Sequence, residues 1–158
     1  ERITHNDTKL NNVLLDNTSQ EGICVIDLDT TMPGLALYDF GDLIRTSTSP
    51  AAEDETDLSK VNMQMNMFEA LVRGYLTSAA SFLNQHEIDN LAFSGKVITF
   101  ETGLRFLTDY LEGDVYFKCK EEDHNLIRCR TQKALVESID AQEEEMNAVV
   151  EDFLAAAK

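Results

Sequence analysis

A short polar segment near the start of the chain carries the residues best suited to chemistry. His5, Asp7 and Asn12 stand in the spacing H-x-D-x-x-x-x-N within THNDTKLNNVLLD. In phosphoryl transfer, an Asp in this position accepts the proton of the attacking hydroxyl, and the Asn binds a metal ion. We therefore interpret Asp7 as a catalytic base. His5 belongs to the same catalytic set, and we expect it to brace the backbone of the loop.

A β-hairpin is predicted directly after this segment, and it should carry a second acidic cluster. The aliphatic runs 12–16 and 23–28 are separated by the turn-forming residues NTSQEG. Asp27 ends the second predicted strand, where it could share a metal ion with Asn12. Asp29 follows two residues later and would point to the same face if the strand continued, so it is a candidate auxiliary ligand. The alternative for Asp7 and Asp27 is an ordinary cap or turn residue.

The remainder of the chain is predicted to be mostly helical. The segment LALYDFGDLIRT has helical spacing, and the polar segment STSPAAEDETD (residues 47–57, the acidic segment) is predicted to be an exposed loop. Three long helices should follow after Asp57, through Val61 to Leu83, from about Glu87 to Leu111 with a cap at Gly113, and over 125–156. We therefore expect one α+β domain over 1–158, in which 1–45 carries the chemistry and 58–158 supports it.

Composition excludes several functional classes. The formal net charge of −16 disfavours nucleic acid and anionic membrane partners, and no apolar run is long enough to span a bilayer. The three cysteines favour a reducing cytoplasm, and none lies in the C-x-P-x-R motif of a sulfatase. A metallo-phosphatase would need more ligands than the three histidines provide, because His86 and His124 are expected at the surface.

The segments HNDTKLNNVLLD, VIDLD and PGLALYDFGD together resemble the aminoglycoside phosphotransferase and choline kinase family. The resemblance implies a protein-kinase-like fold and the phosphorylation of a small-molecule hydroxyl with ATP and Mg²⁺. It assigns the base to Asp7, the metal to Asn12 and Asp27, and the ordering of the catalytic loop to Asp39, which follows Gly34 by five residues. The alternative for Asp39 is an ordinary residue at a helix start. Lys9 is a candidate phosphate contact.

Within that family, the chain is most similar to the N-acetylhexosamine 1-kinases. The likeness includes GLRFLTDYLEGDVYFK and implies phosphorylation of the anomeric hydroxyl of an N-acetylhexosamine. It also implies that Arg105 and Tyr116 contact the sugar. The residues themselves leave two alternatives open, an ion pair for Arg105 and a core position for Tyr116. Choline or an aminoglycoside is the alternative acceptor.

The sequence contains no G-x-G-x-x-G loop, and its seven glycines are scattered. A kinase of this type also needs an N-terminal lobe that covers the nucleotide. We therefore expect the chain to be the C-terminal lobe of a larger kinase, inactive by itself. The rival interpretation is a non-catalytic binding fragment. Apolar residues that would face the other lobe, such as Val13, Leu14 and Ile23, would be left exposed and could drive self-association.

Overall fold

The computed structural model describes residues 1–156 of the chain. They form six helices and four short strands, which is compatible with the predicted α+β class. The helices are α1 (Ala36–Ser47), α2 (Met65–Ala79), α3 (Gln85–Asp89), α4 (Leu91–Glu112), α5 (His124–Asp140) and α6 (Glu143–Ala156). The strands are β1 (Arg2–Thr4), β2 (Val13–Leu15), β3 (Gly22–Val25) and β4 (Met32–Gly34). No helix within 1–156 is long and apolar enough to cross a membrane.

The predicted hairpin is confirmed, but its second strand ends early. β2 and β3 pair in antiparallel fashion, with Val13 opposite Val25. Asp27 lies beyond β3 in the left-handed region, at φ 62° and ψ 55°, which Asp tolerates better than most residues. A single 3₁₀ turn, Leu28–Thr30, follows at once. The strand therefore does not continue to Asp29, and the expectation that Asp27 and Asp29 share a strand face is wrong.

A second two-stranded sheet, which the sequence analysis did not predict, joins β1 to β4. Its antiparallel register places Arg2 opposite Gly34 and Thr4 opposite Met32. A Cβ at Gly34 would lie 2.4 Å from Thr4 Oγ1, so a larger residue here would displace the Thr4 hydroxyl. The sheet closes residues 5–31 into a loop whose two ends are held together, and α1 begins directly after it.

The first predicted long helix starts later than expected and the third is interrupted, and one tertiary contact accounts for both differences. Residues 61–64 lie outside any helix, and the N–H of Met63 donates to Ser138 Oγ at 2.9 Å. Gln142, in the break between α5 and α6, donates from Nε2 to the carbonyl of Met63 at 3.0 Å. The extended segment thus crosses the α5–α6 junction. Helical periodicity cannot reveal such a crossing, because its partners are about 80 residues apart in sequence.

The second predicted helix corresponds to α3 and α4 together. Asn84 and Glu87 form a capping box that starts α3 as a separate helix. Gly113 caps α4 with φ 92°, and its N–H donates to the carbonyls of Asp109 and Tyr110, so the predicted cap is confirmed.

The helices α1 and α4 approach each other closely and carry much of the candidate site. A Cβ at Gly41 would lie 2.5 Å from the carbonyl oxygen of Ser94, and one at Gly95 would lie 2.8 Å from Ile44 Cγ2. Phe40, Phe68 and other buried apolar side chains of α1, α2, α4, α5 and α6 form the core. Because of this packing, the polar face of α1 lies beside the face of α4 that lines the candidate site.

The acidic segment is docked on α5, so the expectation of an exposed loop is only partly correct. Asp54 Oδ2 accepts hydrogen bonds from His124 Nε2 and Lys120 Nζ, both at 3.1 Å. Thr131 Oγ1 donates to the carbonyl of Glu55 at 2.9 Å. His124 is fully buried, and the expectation that it lies at the surface is wrong. The carboxylate of Asp54 provides the polar partner that allows this imidazole to be buried.

Candidate active site

Asp39 holds the polar loop that follows β1. Its Oδ2 accepts the N–H of His5 at 2.9 Å, and its Oδ1 accepts the N–H of Asn6 at 2.8 Å. The hydroxyl of Thr8 donates to the backbone carbonyl of Asp39 at 2.6 Å. Asp39 also lies in the first turn of α1, where a negative charge is favourable. The helix-start and loop-bracing interpretations of this residue are therefore compatible with each other.

His5 links the polar loop to the far end of the hairpin. Its Nε2 lies 3.0 Å from the carbonyl of Ile26, so this nitrogen carries the proton. The hydroxyl of Thr30 donates to the carbonyl of His5 at 2.7 Å. These contacts are those that a bracing role requires, and they direct the imidazole toward the backbone.

Asp7 is held through one of its two carboxylate oxygens. Oδ2 accepts from Asn12 Nδ2 at 2.8 Å and pairs with Lys9 Nζ at 2.9 Å. Burial raises the pKa of Asp7, but the hydrogen bonds from Lys9 and Asn12 and the charge of Lys9 outweigh burial, so the pKa falls below its ordinary value. Asp7 therefore stays ionised at neutral pH. Within residues 1–156 no hydrogen bond to Oδ1 occurs, and this oxygen remains available to a hydroxyl.

A backbone hydrogen bond brings two of the candidate metal ligands, Asn12 and Asp27, near each other. Asn12 is buried, and its carbonyl accepts the N–H of Ile26 at 2.9 Å, which brings the residue before Asp27 beside Asn12. The charge of Asp27 contributes to the raised pKa of Lys9, after the hydrogen bond to Asp7. Asp27 and Asp29 are both exposed.

The described residues contain no group of three or more His, Cys, Asp or Glu side chains arranged to hold a metal ion. The donors at the hairpin are hard oxygens, which suit Mg²⁺.

One cleft of about 760 Å³ joins the polar loop to α4 and to the segment after it. Asp7 lines it together with Arg105 and Tyr116, which follow about 100 residues later in the chain. His5, Asn12 and Asp27 do not. The lining residues are Asn6, Asp7, Lys9, Thr30, Tyr38, Asp42, Arg45, Glu53, Val97, Ile98, Glu101, Thr102, Arg105, Phe106, Tyr116, Phe117, Lys118 and Arg128.

Arg105 and Tyr116 form one wall of the cleft. The guanidinium carbon of Arg105 lies 5.9 Å from the ring centre of Tyr116 and 5.5 Å from that of Phe117. Its contact with Glu101 is long, at 3.9 Å, and both side chains are about half exposed, so this ion pair is weak. Tyr116 is 74% exposed, and the alternative that it is a core aromatic is wrong.

Asp109 orders this wall, although the sequence analysis did not select it. Its carboxylate accepts the backbone N–H groups of Tyr116 at 2.7 Å and Phe117 at 2.9 Å, and it also accepts from Asn125 Nδ2 at 2.7 Å. Burial raises the pKa of Asp109, but the backbone hydrogen bonds from Phe117 and Tyr116 outweigh burial. The pKa of Asp109 therefore lies below its ordinary value. The sequence contained one signal for this role of Asp109, an acidic residue on the apolar stripe of a predicted helix.

A charged network that was not expected from the sequence also lines the cleft. Arg45 Nε donates to Asp42 Oδ1 and Arg45 Nη1 to Glu53 Oε1, both at 2.9 Å. Arg128 Nε lies 3.8 Å from Glu53 Oε2. The spacing of Asp42 and Arg45 on α1 was the one local signal for it, since residues three apart on a helix are neighbours.

The charges that line the cleft nearly balance, in a chain whose net charge is −16. The basic side chains slightly outnumber the acidic ones. The basic residues are Lys9, Arg45, Arg105, Lys118 and Arg128, and the acidic residues are Asp7, Asp42, Glu53 and Glu101.

A protein-family model described as "Phosphotransferase enzyme family" (APH) matches residues 1–80, just over half of the chain. The matched region contains the polar loop, the hairpin, both sheets and α1. It ends before α4, so Arg105 and Tyr116 lie outside it.

Proposed function

Because the chain belongs to the phosphotransferase enzyme family, we propose that it carries the acceptor side of an ATP-dependent small-molecule kinase. The proposed reaction transfers the γ-phosphoryl group of ATP to the anomeric hydroxyl of an N-acetylhexosamine. The observation that supports this proposal is that Asp7, Arg105 and Tyr116 line one cleft. Its volume of about 760 Å³ is in the range of small-molecule sites.

In the proposed mechanism, Oδ1 of Asp7 accepts the proton of the acceptor hydroxyl. The hydroxyl oxygen forms a bond to the γ-phosphorus, and the bond between that phosphorus and the β-γ bridging oxygen breaks, which releases ADP. Lys9 and Asn12 fix the other oxygen of Asp7, so the base is oriented before the acceptor arrives. Asn12 and Asp27 are the residues that would hold Mg²⁺, which when bound neutralises charge on the phosphoryl oxygens.

The charge of the cleft favours an uncharged acceptor over the cationic alternatives, choline and aminoglycosides. Basic residues slightly outnumber acidic ones along its walls. In addition, Arg105 already lies over the rings of Tyr116 and Phe117, and Arg128 lies 5.3 Å from the ring centre of Phe106. A quaternary ammonium group would have to compete with these guanidinium groups for the same aromatic faces.

The test is a phosphoryl-transfer assay of the natural full-length protein with N-acetylglucosamine, choline and an aminoglycoside, with ³¹P NMR to identify the product. We expect a sugar 1-phosphate. Asp7→Asn should lower kcat by roughly 10²-fold to 10⁴-fold with little change in the KM for ATP, because the base acts on the acceptor. Asp16→Asn, in the hairpin turn, is the control. A kcat within a few-fold of wild type for Asp7→Asn would contradict the proposal.

A further inference from the structure

Glu53 stands out among the carboxylates of the cleft that the mechanism does not use. It belongs to the acidic segment and lies between two guanidinium groups. Arg45 contacts its Oε1 at 2.9 Å, and Arg128 lies 3.8 Å from its Oε2. Both arginines are nearly buried, with side chains 11% and 14% exposed, whereas the side chain of Glu53 is 43% exposed. The carboxylate is therefore supported from the protein side and open toward the cleft.

The backbone around Glu53 is also fixed. Asp54 and Glu55, the next two residues, bond to His124 and Thr131 of α5. His124, Arg128 and Thr131 occupy positions i, i+4 and i+7 on one face of α5. Three consecutive residues of the acidic segment therefore dock on that face.

His124 makes this attachment specific. Its Nδ1 accepts the N–H of Lys120 at 3.1 Å, so the neutral imidazole carries its proton on Nε2 and donates it to Asp54. The tautomer is thus determined by the two hydrogen bonds. Glu53 is therefore oriented before any ligand binds, which lowers the entropic cost of a contact with a ligand.

The electrostatic setting of Glu53 suits an uncharged hydroxyl. Two positive charges beside the carboxylate offset its attraction for a cation, and an ionised carboxylate still has lone pairs beyond those that its neighbours use. Glu101 is the other well-exposed carboxylate of the cleft, but its partner Arg105 is 3.9 Å away and no comparable support surrounds it among the described residues.

We propose that Glu53 is a specificity-determining residue of the acceptor cleft. Its carboxylate accepts a hydrogen bond from a ring hydroxyl of the acceptor, other than the hydroxyl that is phosphorylated. This inference rests on the proposed function, since it assumes that the cleft binds a hydroxylated acceptor.

The test measures the binding of N-acetylglucosamine and its 3-, 4- and 6-deoxy analogues to the chain by NMR titration. Wild type should bind one analogue roughly tenfold or more weaker than the parent sugar, as expected for a hydrogen bond to a charged group. Glu53→Ala should bind these two sugars equally. Glu53→Gln should retain about a threefold difference, because a neutral acceptor forms a hydrogen bond about half as strong.

Glu137→Ala is the matched control. Glu137 is an exposed glutamate on α5, paired with Lys133 away from the cleft, and its removal changes the net charge equally. It should keep the wild-type discrimination. Thermal melting checks that each variant is folded. If Glu53→Ala does not fold, Glu53→Gln is used in its place.

The outcomes separate this inference from the proposed function. Loss of discrimination in Glu53→Ala and its reduction in Glu53→Gln, with no change in Glu137→Ala, supports the inference. Equal discrimination by wild type and the Glu53 variants, or wild-type binding of all four sugars with the same affinity, overturns it and leaves the proposed function standing. A wild-type chain that binds none of the sugars overturns both.

Discussion

The substitution Asp39→Asn should loosen the polar loop, because both oxygens of the Asp39 carboxylate are in use. One accepts the N–H of His5 and the other accepts the N–H of Asn6. An asparagine has the same shape but a single acceptor oxygen, and its NH₂ group would face one of these two backbone donors. At least one backbone N–H of the loop would then lose its partner.

The cost follows from these two bonds. A hydrogen bond to a charged group contributes about 1.5–3 kcal/mol, and the remaining bond to a neutral amide is weaker than the one it replaces. We therefore expect the loop to open more easily by about 2–4 kcal/mol, which corresponds to roughly 30-fold to 700-fold faster amide exchange. Asn6 has a positive φ of 62°, which is uncommon for a residue other than glycine, so once these bonds are lost the backbone gains by leaving this conformation.

The assay is hydrogen exchange by NMR at the amides of His5 and Asn6. Asp16→Asn is the matched control, because Asp16 also accepts two backbone N–H groups but uses the single oxygen Oδ1 for both, at 2.9 Å from Thr18 and 2.8 Å from Ser19. An asparagine can keep both of these bonds, so exchange at these two amides should change by no more than a few-fold.

The two substitutions must therefore behave differently. If Asp39→Asn accelerates exchange in its loop by no more than Asp16→Asn does in the hairpin turn, then Asp39 does not hold the loop through its two oxygens. Rapid exchange at both sites in wild type would refute the reasoning as well.

Three further predictions follow from other parts of the molecule. An ion pair with the arginine of β1, together with a backbone hydrogen bond, lowers the pKa of Glu87 to about 2. Its contribution to stability should therefore be complete above the unfolded pKa of about 4.3 and disappear as the pH falls toward 2. The measurement is the difference in unfolding free energy between wild type and Glu87→Gln, from urea titrations at several pH values. A difference that does not change with pH would contradict this prediction. Gly41→Ala should destabilise the fold by about 1–3 kcal/mol, because its Cβ would lie 2.5 Å from a backbone oxygen of α4, whereas Gly74→Ala, with open space around it in α2, should stabilise it by about 0.5–1 kcal/mol. Changes of the same sign in chemical denaturation would show that the close approach is not rigid. Asp27→Ala should raise the Mg²⁺ concentration needed for half-maximal activity far more than Asp29→Ala, and equal effects would move the metal assignment to Asp29.

Local signals in the sequence were sufficient for several parts of this protein. The turn residues NTSQEG between two aliphatic runs predicted the hairpin, and Gly113 after an apolar stripe predicted the end of α4. The spacing of His5, Asp7 and Asn12 predicted a polar loop, and the structure has one there. These features depend on residues a few positions apart, whose conformational preferences are written in the chain itself.

The tertiary structure decided the features that depend on distant contacts. The segment 61–64 crosses the α5–α6 junction, so that α2 starts later than periodicity predicted and the third predicted helix is divided in two. His124 is buried because a carboxylate 70 residues away bonds to it. The cleft brings Asp7 to Arg105 because two helices, α1 and α4, pack closely at glycines. Periodicity and turn propensity describe neighbours along the chain, whereas burial, pairing and the shape of a cleft arise only when separate elements pack against each other.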